Sequence, residues 1–199
     1  GEDPWMSAVL IMAGIINGEN NRSMLGEHLL EEFSNWFKVI LASNVADSAH
    51  EKIPISARAD GSNVIIEYND GSIELRSGGT RAWRNNNPGN IRNSDFADRR
   101  GALGEAGGFA VFANEAAGRK ALVDLLSTNT YQDLTINEAI ARYAPPTENS
   151  TGNYQTLIQQ FTGLDGGERM RTLNESQLNG VANAIGRVEG WRAGAVTYR

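Results

Sequence analysis

The sequence predicts a mainly α chain of the α+β kind: a small helical region with a β-hairpin over residues 1–80, then a helical domain over residues 81–199. Three observations lead there. Capped segments with apolar residues three and four apart recur from Ser23 to Glu189, the spacing of helices that bury one face. One segment breaks that rhythm: Val64-Ile65-Ile66-Glu67-Tyr68 and Ile73-Glu74-Leu75-Arg76 flank Asn69-Asp70-Gly71-Ser72, alternation around an Asp-Gly turn. The charge also changes sign along the chain. Residues 1–60 carry four basic and nine acidic side chains, whereas residues 76–100 carry six arginines against Asp95 and Asp98. A boundary near residue 80 follows.

Taken in order, Trp5 to Ile16 is an apolar run broken by Ser7 and Gly14, too short to span a bilayer. It follows Glu2 and Asp3, whereas a signal peptide starts basic, so it reads as a buried helix, with neither export signal nor membrane insertion. The opening Gly1-Glu2-Asp3-Pro4 has no initiator Met, as expected of a fragment. Ser23 can cap a helix with Leu25, Leu29, Phe33, Trp36, Phe37, Ile40 and Leu41 on one face. In the hairpin, Glu67 and Glu74 are placed on the face away from Tyr68 and Leu75, as surface residues. Residues 81–100 read as loop-rich, and Gly107 to Phe112 as a short extended piece. Asn114 caps a helix through Leu126. Thr135 and Glu138 form a capping-box pattern ahead of a helix that stops at Pro145-Pro146. Asn153 starts the next helix, and Asn174 the last, which runs to Glu189 and ends at Gly190.

Composition narrows the chemistry. The chain has 199 residues, 40% of them hydrophobic, no cysteine and a net charge of −6. Disulfides, thiolate metal sites and cysteine nucleophiles are excluded, and an acidic chain is a poor partner for nucleic acid. The arginines from Arg76 to Arg100 have poor aromatic interleaving, with Trp83 and Phe96 alone among them, and suit an anionic surface or pairing with the acidic first part. His28 and His50 are the only histidines and form no metal motif, so no metal or cofactor is expected. Carboxylates, amides and tyrosines remain.

Among these, Glu189 is the most informative. At ~100° per residue it falls in the stripe of Leu178, Ala182 and Ile185, and it lies in the last turn, where the helix dipole disfavours an anion. Both conditions favour the protonated acid, the form that glycoside cleavage requires of its proton donor. Asn85-Asn86-Asn87-Pro88-Gly89-Asn90-Ile91-Arg92 is a dense amide run around a Pro-Gly turn. Asn86, Asn87, Asn90 and Arg92 read as a rim of donors and acceptors for sugar hydroxyl and N-acetyl groups. Tyr143 and Tyr154 offer flat faces and hydroxyls. Glu105, within Gly104-Glu105-Ala106-Gly107-Gly108, is the first candidate for a second carboxylate, because glycines let a loop approach a substrate closely. Asp95 and Glu115 come after it.

Arg84 to Arg92, Gly107 to Gly118 and Tyr143-Ala-Pro-Pro-Thr-Glu-Asn149, in this order, resemble a family of phage virion-associated and secretion-effector lysozyme-like domains. The resemblance covers about residues 81–193. The same order is similar to the glucosaminidase group of the lysozyme superfamily, with Tyr143-Ala144 and Asn153-Tyr154 as counterparts. In that group the acid glutamate ends a helix upstream of the amide motif and is followed by small residues and Trp. Here Glu189-Gly190-Trp191 stands downstream, which implies a catalytic helix moved to the C-terminus by circular permutation.

The resemblance implies a lysozyme-like fold for residues 81–199 and, as substrate, the peptidoglycan glycan strand, cut at the β-1,4 bond between N-acetylmuramic acid and N-acetylglucosamine. Glu189 would be the acid, with muramidase, glucosaminidase and lytic transglycosylase outcomes open. Where no second carboxylate serves, the substrate's acetamido or 6-hydroxyl group would act. Such a domain would be made without a signal peptide, delivered by a secretion system or phage particle, and act in the wall of a target bacterium. A producer of an injected effector needs an immunity protein. The alternatives are a non-catalytic wall-binding module and a structural virion component.

Overall fold

The computed structural model describes residues 34–36, 38, 51–146 and 150–199. The chain divides into two compact units, Gly1–Glu51 and Lys52–Arg199. In the first, residues 34–36 and 38 are helical and exposed. The rest of the helix expected from Ser23, the run from Trp5 to Ile16, His28 and His50 lie outside the described residues, as do Thr147, Glu148 and Asn149 of the third motif.

The second unit is built on a sheet. Its strands are β1 (Pro54–Asp60), β2 (Asn63–Tyr68), β3 (Ile73–Ser77), β4 (Ala102–Ala106), β5 (Phe109–Phe112) and β6 (Ala195–Tyr198). They lie in the order β5-β4-β1-β2-β3-β6. The β1–β4 pair is parallel and every other pair antiparallel. The helices are α1 (Arg81–Arg84), α2 (Asp95–Asp98), α3 (Glu115–Leu126), α4 (Asn129–Gln132), α5 (Ile136–Tyr143), α6 (Thr151–Thr162) and α7 (Glu175–Val188), with a 3-10 turn at Met170–Thr172.

This corrects the expected fold class. A six-stranded mixed sheet makes the unit α+β, and a mainly helical, lysozyme-like domain does not describe it. The unit begins at Lys52 rather than near residue 80, because β1–β3 share their sheet with β4, β5 and β6. Local pattern conceals this. Gly104 sits in β4 at φ +155°, pressed against the Ala57 carbonyl of β1, so the parallel pair forms only where no side chain intervenes.

The helices follow their local signals. Thr135 and Glu138 make a complete capping box, as do Asn174 and Gln177, each satisfying two N–H groups that a helix start leaves unpaired. Asn114 accepts from the Ala117 N–H. The main core lies among the helices and β5, with Phe112, Leu122, Leu126, Ile136, Ile140, Ile158 and Ile185 fully buried. A smaller cluster of Ala57, Val64, Ile66, Ala106 and Val111 covers the sheet.

Two features fix the ground on which the site stands. Register pairs Glu74 with Ile66, which turns Glu74 to the side of Tyr68 rather than to solvent as the alternation suggested. There it is 6% exposed. It accepts from Tyr68 Oη at 2.7 Å and Arg76 Nη1 at 2.6 Å. Arg76 Nη2 also donates to the Trp83 carbonyl at 2.8 Å, tying β3 to α1. The chain leaving α7 is tied to the same corner. Thr80 N donates to the Arg192 carbonyl at 3.0 Å and Arg192 N to Thr80 Oγ1 at 3.2 Å, before β6 pairs with β3. The C-terminal end of α7 therefore lies beside the start of α1.

Candidate active site

The amide run after α1 divides into two halves. Asn85, Asn86 and Asn87 are 1%, 4% and 0% exposed. Their side chains hold the loop to β5. Asn85 Nδ2 donates to the Ala106 carbonyl at 3.1 Å, and Asn86 Nδ2 to the Phe112 carbonyl at 3.0 Å. Asn87 Nδ2 donates to the Ile91 and Ala110 carbonyls at 2.9 Å each, and its Oδ1 accepts from Ile91 N at 2.9 Å. The amide donors of all three are committed to main-chain carbonyls inside the fold, and in Asn87 the side-chain oxygen is used as well. The expected rim therefore loses Asn86 and Asn87, which act as internal struts. Gly118 of α3 presses on the Asn86 carbonyl and admits no Cβ, so helix and loop meet backbone to backbone.

The second half faces outward. Asn86 and Asn90 both adopt left-handed backbone, φ +50° and +47°, which asparagine tolerates better than other side chains. The Tyr143 hydroxyl donates to the Gly89 carbonyl and holds the Pro-Gly turn from α5. Asn90 then joins two charged groups. Its Oδ1 accepts from Arg81 Nε at 3.1 Å, and its Nδ2 donates to Glu189 Oε2 at 2.7 Å. Arg81 thereby fixes which end of the Asn90 amide meets the acid.

Glu189 caps the C-terminal end of α7. Tyr154 of α6, 4% exposed, donates its hydroxyl to Glu189 Oε1 at 3.0 Å. Both carboxylate oxygens thus have neutral donors. The carboxyl is half-buried and its immediate partners are polar, unlike the apolar stripe its helix position suggested. Burial, and then the Glu189 charge, push the Tyr154 and Tyr143 hydroxyls well above the ordinary tyrosine range. Both stay protonated donors at any working pH. Burial is also the main influence on Arg81 and lowers its proton affinity, while the nearby Glu189 charge acts the other way.

A cavity of about 630 Å³ opens over this carboxylate, lined among others by Arg81, Asn90, Arg92, Phe109, Tyr143 and Glu189. The Arg81 guanidinium lies 3.6 Å from the centroid of the Phe109 ring and that of Arg92 5.3 Å from it, so both cations lie against the same aromatic ring. Of the residues expected from sequence, Glu189, Asn90, Arg92, Tyr143 and Tyr154 come together. Glu105 does not. It is exposed in β4 opposite Ala110 and does not line the cavity. The glycine before it serves the contact between β4 and β1 rather than a substrate. Glu115 pairs with Arg119 at 2.6 Å, and Asp95 stands exposed in the first turn of α2.

Sequence reasoning missed Arg81, Phe109, Tyr131 and Arg142 as lining residues. For Arg81 the signal was its place one turn before the amide run, and for Phe109 its place in the second motif. Among the described residues no cluster of three His, Cys, Asp or Glu side chains could hold a metal ion, and no helix is long and apolar enough to cross a membrane. The chain matches no protein-family model and no curated protein.

Proposed function

We propose that this chain is a peptidoglycan-cleaving glycosidase with Glu189 as its proton donor. One observation carries the reading: a carboxylate gripped on both oxygens by Asn90 and Tyr154 lies at the floor of a sugar-sized cavity. The resemblance of its ordered motifs to wall-cleaving domains supports the substrate. The C–O bond breaks as Glu189 gives its proton to the leaving oxygen, and Asn90 Nδ2 and the Tyr154 hydroxyl hold the carboxylate that remains. Among the described lining residues Glu189 is the one carboxylate, which favours completion by the substrate's own acetamido or 6-hydroxyl group over a paired-carboxylate displacement. Glu189 then takes back the proton of the attacking hydroxyl or water. The partner is the glycan strand. Action in the wall of a target bacterium, and an immunity protein in the producer, belong to the same proposal.

The test is turbidity clearing of purified walls. Wild type clears them, and Glu189→Gln, which keeps shape and loses the proton, slows clearing by about a hundredfold or more. Clearing unchanged by that substitution refutes the assignment. Sedimentation with walls without any clearing by wild type supports a binding module instead.

A further inference from the structure

Thr80 stands at the N-cap position of α1, in extended backbone, yet its hydroxyl caps nothing in that helix. A threonine there ordinarily accepts from an N–H of the first turn. Here the hydroxyl is turned to the chain leaving α7. Thr80 Oγ1 accepts from Arg192 N at 3.2 Å and donates to the Arg192 carbonyl at 3.4 Å, which also accepts from Thr80 N at 3.0 Å. Main chain packs on main chain behind it. A Cβ on Gly79, at φ +58°, would lie 2.6 Å from both the Arg192 carbonyl oxygen and Gly194 N, and one on Gly194 would run into the Ser77 carbonyl. Arg84 Nη1 donates to the Gly78 and Gly79 carbonyls at 2.8 Å each and holds that turn from the far end of α1.

This crossing closes a ring that contains the acid. Only Gly190 and Trp191 separate Glu189 from Arg192, and Arg81 follows Thr80 directly. Arg81 Nε then reaches Asn90 Oδ1 at 3.1 Å, and Asn90 Nδ2 reaches Glu189 Oε2 at 2.7 Å. Covalent and hydrogen bonds thus run from Thr80 through Arg81, Asn90 and Glu189 back to Arg192. A closed ring allows few arrangements, so the contact at Arg192 helps set the geometry at Glu189. The strand beyond the crossing points the same way. All four side chains of β6 are exposed, so the strand adds little to a core. What its pairing with β3 secures is the path of the chain between the acid and the sheet.

We infer that Thr80, with Gly79 and Gly194 behind it, is a positioning device for Glu189: the crossing holds the end of α7 where Asn90, itself fixed by Arg81, grips the acid. The inference rests on the glycosidase reading and adds residues that touch neither the substrate nor the reacting atoms. The experiment follows steady-state cleavage of soluble wall strands. Thr80→Val, isosteric and at ease in extended backbone, should lower kcat about threefold to tenfold with KM unchanged, the scale of one lost hydrogen bond, and Thr80→Ser should restore kcat to within about twofold of wild type. In an Asn90→Gly background Thr80→Val should cost nothing further, because the link through which it acts is gone. Gly194→Ala, which forces the crossing apart, should lower kcat about a hundredfold, and the Thr80 variants decide the matter if it does not fold. Wild-type kcat in Thr80→Val, an equal loss in the two backgrounds, or a loss that Thr80→Ser shares would overturn the positioning role. Glu189→Gln in the same assay separates the two ideas. If it is inactive while Thr80→Val keeps wild-type kcat, the positioning role falls alone. If Glu189→Gln still cleaves, or wild type cleaves nothing, the glycosidase reading falls and the inference falls with it.

Discussion

Asn87 and Asn90 stand three residues apart in one amide run and do different work. Asn87 is sealed from solvent and spends its whole side chain on the backbone of Ile91 and Ala110. Asn90 spends its side chain on Arg81 and Glu189 at the cavity. The difference teaches that residue type alone does not mark a binding rim. A side chain whose donors and acceptors end on main chain builds the platform, and one whose partners are charged side chains in a cleft serves the chemistry. If this division is right, substitutions on the two sides fail in different currencies.

The largest effect is expected at Asn87. Asn87→Ala removes three hydrogen bonds and strands the buried Ile91 N–H, lowering stability by about 3 kcal/mol in urea titration, while the folded fraction keeps its specific activity. A variant with wild-type stability would erase the comparison. Next comes Asn90→Gly, chosen because glycine accepts the left-handed backbone at φ +47°. Its stability should change by less than about 1 kcal/mol, while kcat falls roughly tenfold to a hundredfold through loss of a hydrogen bond to a charged group. An equal loss in stability and activity would place Asn90 with Asn87.

Tyr154→Phe removes the other donor to the acid and should cost about tenfold in kcat. It has a second signature. In the folded protein Tyr154 keeps its proton far above the ordinary tyrosine value of 10.0, whereas the unfolded chain loses it there. Above about pH 10 the unfolded state therefore binds fewer protons, and stability falls by about 1.4 kcal/mol per pH unit for each such tyrosine. Below that pH the contribution is fully present. Urea midpoints taken across the alkaline range should fall more gently with pH for Tyr154→Phe, by one group's share. The smallest effect is expected for Arg81→Lys, which keeps the charge and loses the fixed Nε donor and the flat stack on Phe109. A fall of about threefold to tenfold in kcat, with stability near wild type, would mark Arg81 as a positioning residue.

Much of the helical half was legible because its signals are local. The Asn174–Gln177 capping box begins α7, and Gly190, at φ +78°, follows its end, which places Glu189 at the end of the helix without knowledge of anything else. The sheet was not legible in the same way. The hairpin reads from its turn, but β6 pairs with β3 from the far end of the unit, and Ala-Leu-Gly-Glu-Ala of β4 has none of the β-branched or aromatic residues that mark a strand. For that reason Glu105 reads as a loop residue in sequence and stands in a strand in the structure. Within the site, Glu189, Asn90 and Tyr154 could be named but their hydrogen bonds could not. Nothing in a string of asparagines says which one lies under β5. That depends on where the Phe112, Ala110 and Ile91 carbonyls end up, a property of the folded sheet.

Mass spectrometry of the fragments released from purified walls tests the proton donor most directly, with wild type and Glu189→Gln compared at matched thermal stability. The expected result is a single class of new sugar ends from wild type, reducing or anhydro, and only background from the variant. The same ends released by Glu189→Gln within twofold of the wild-type rate would contradict the role assigned to that carboxylate.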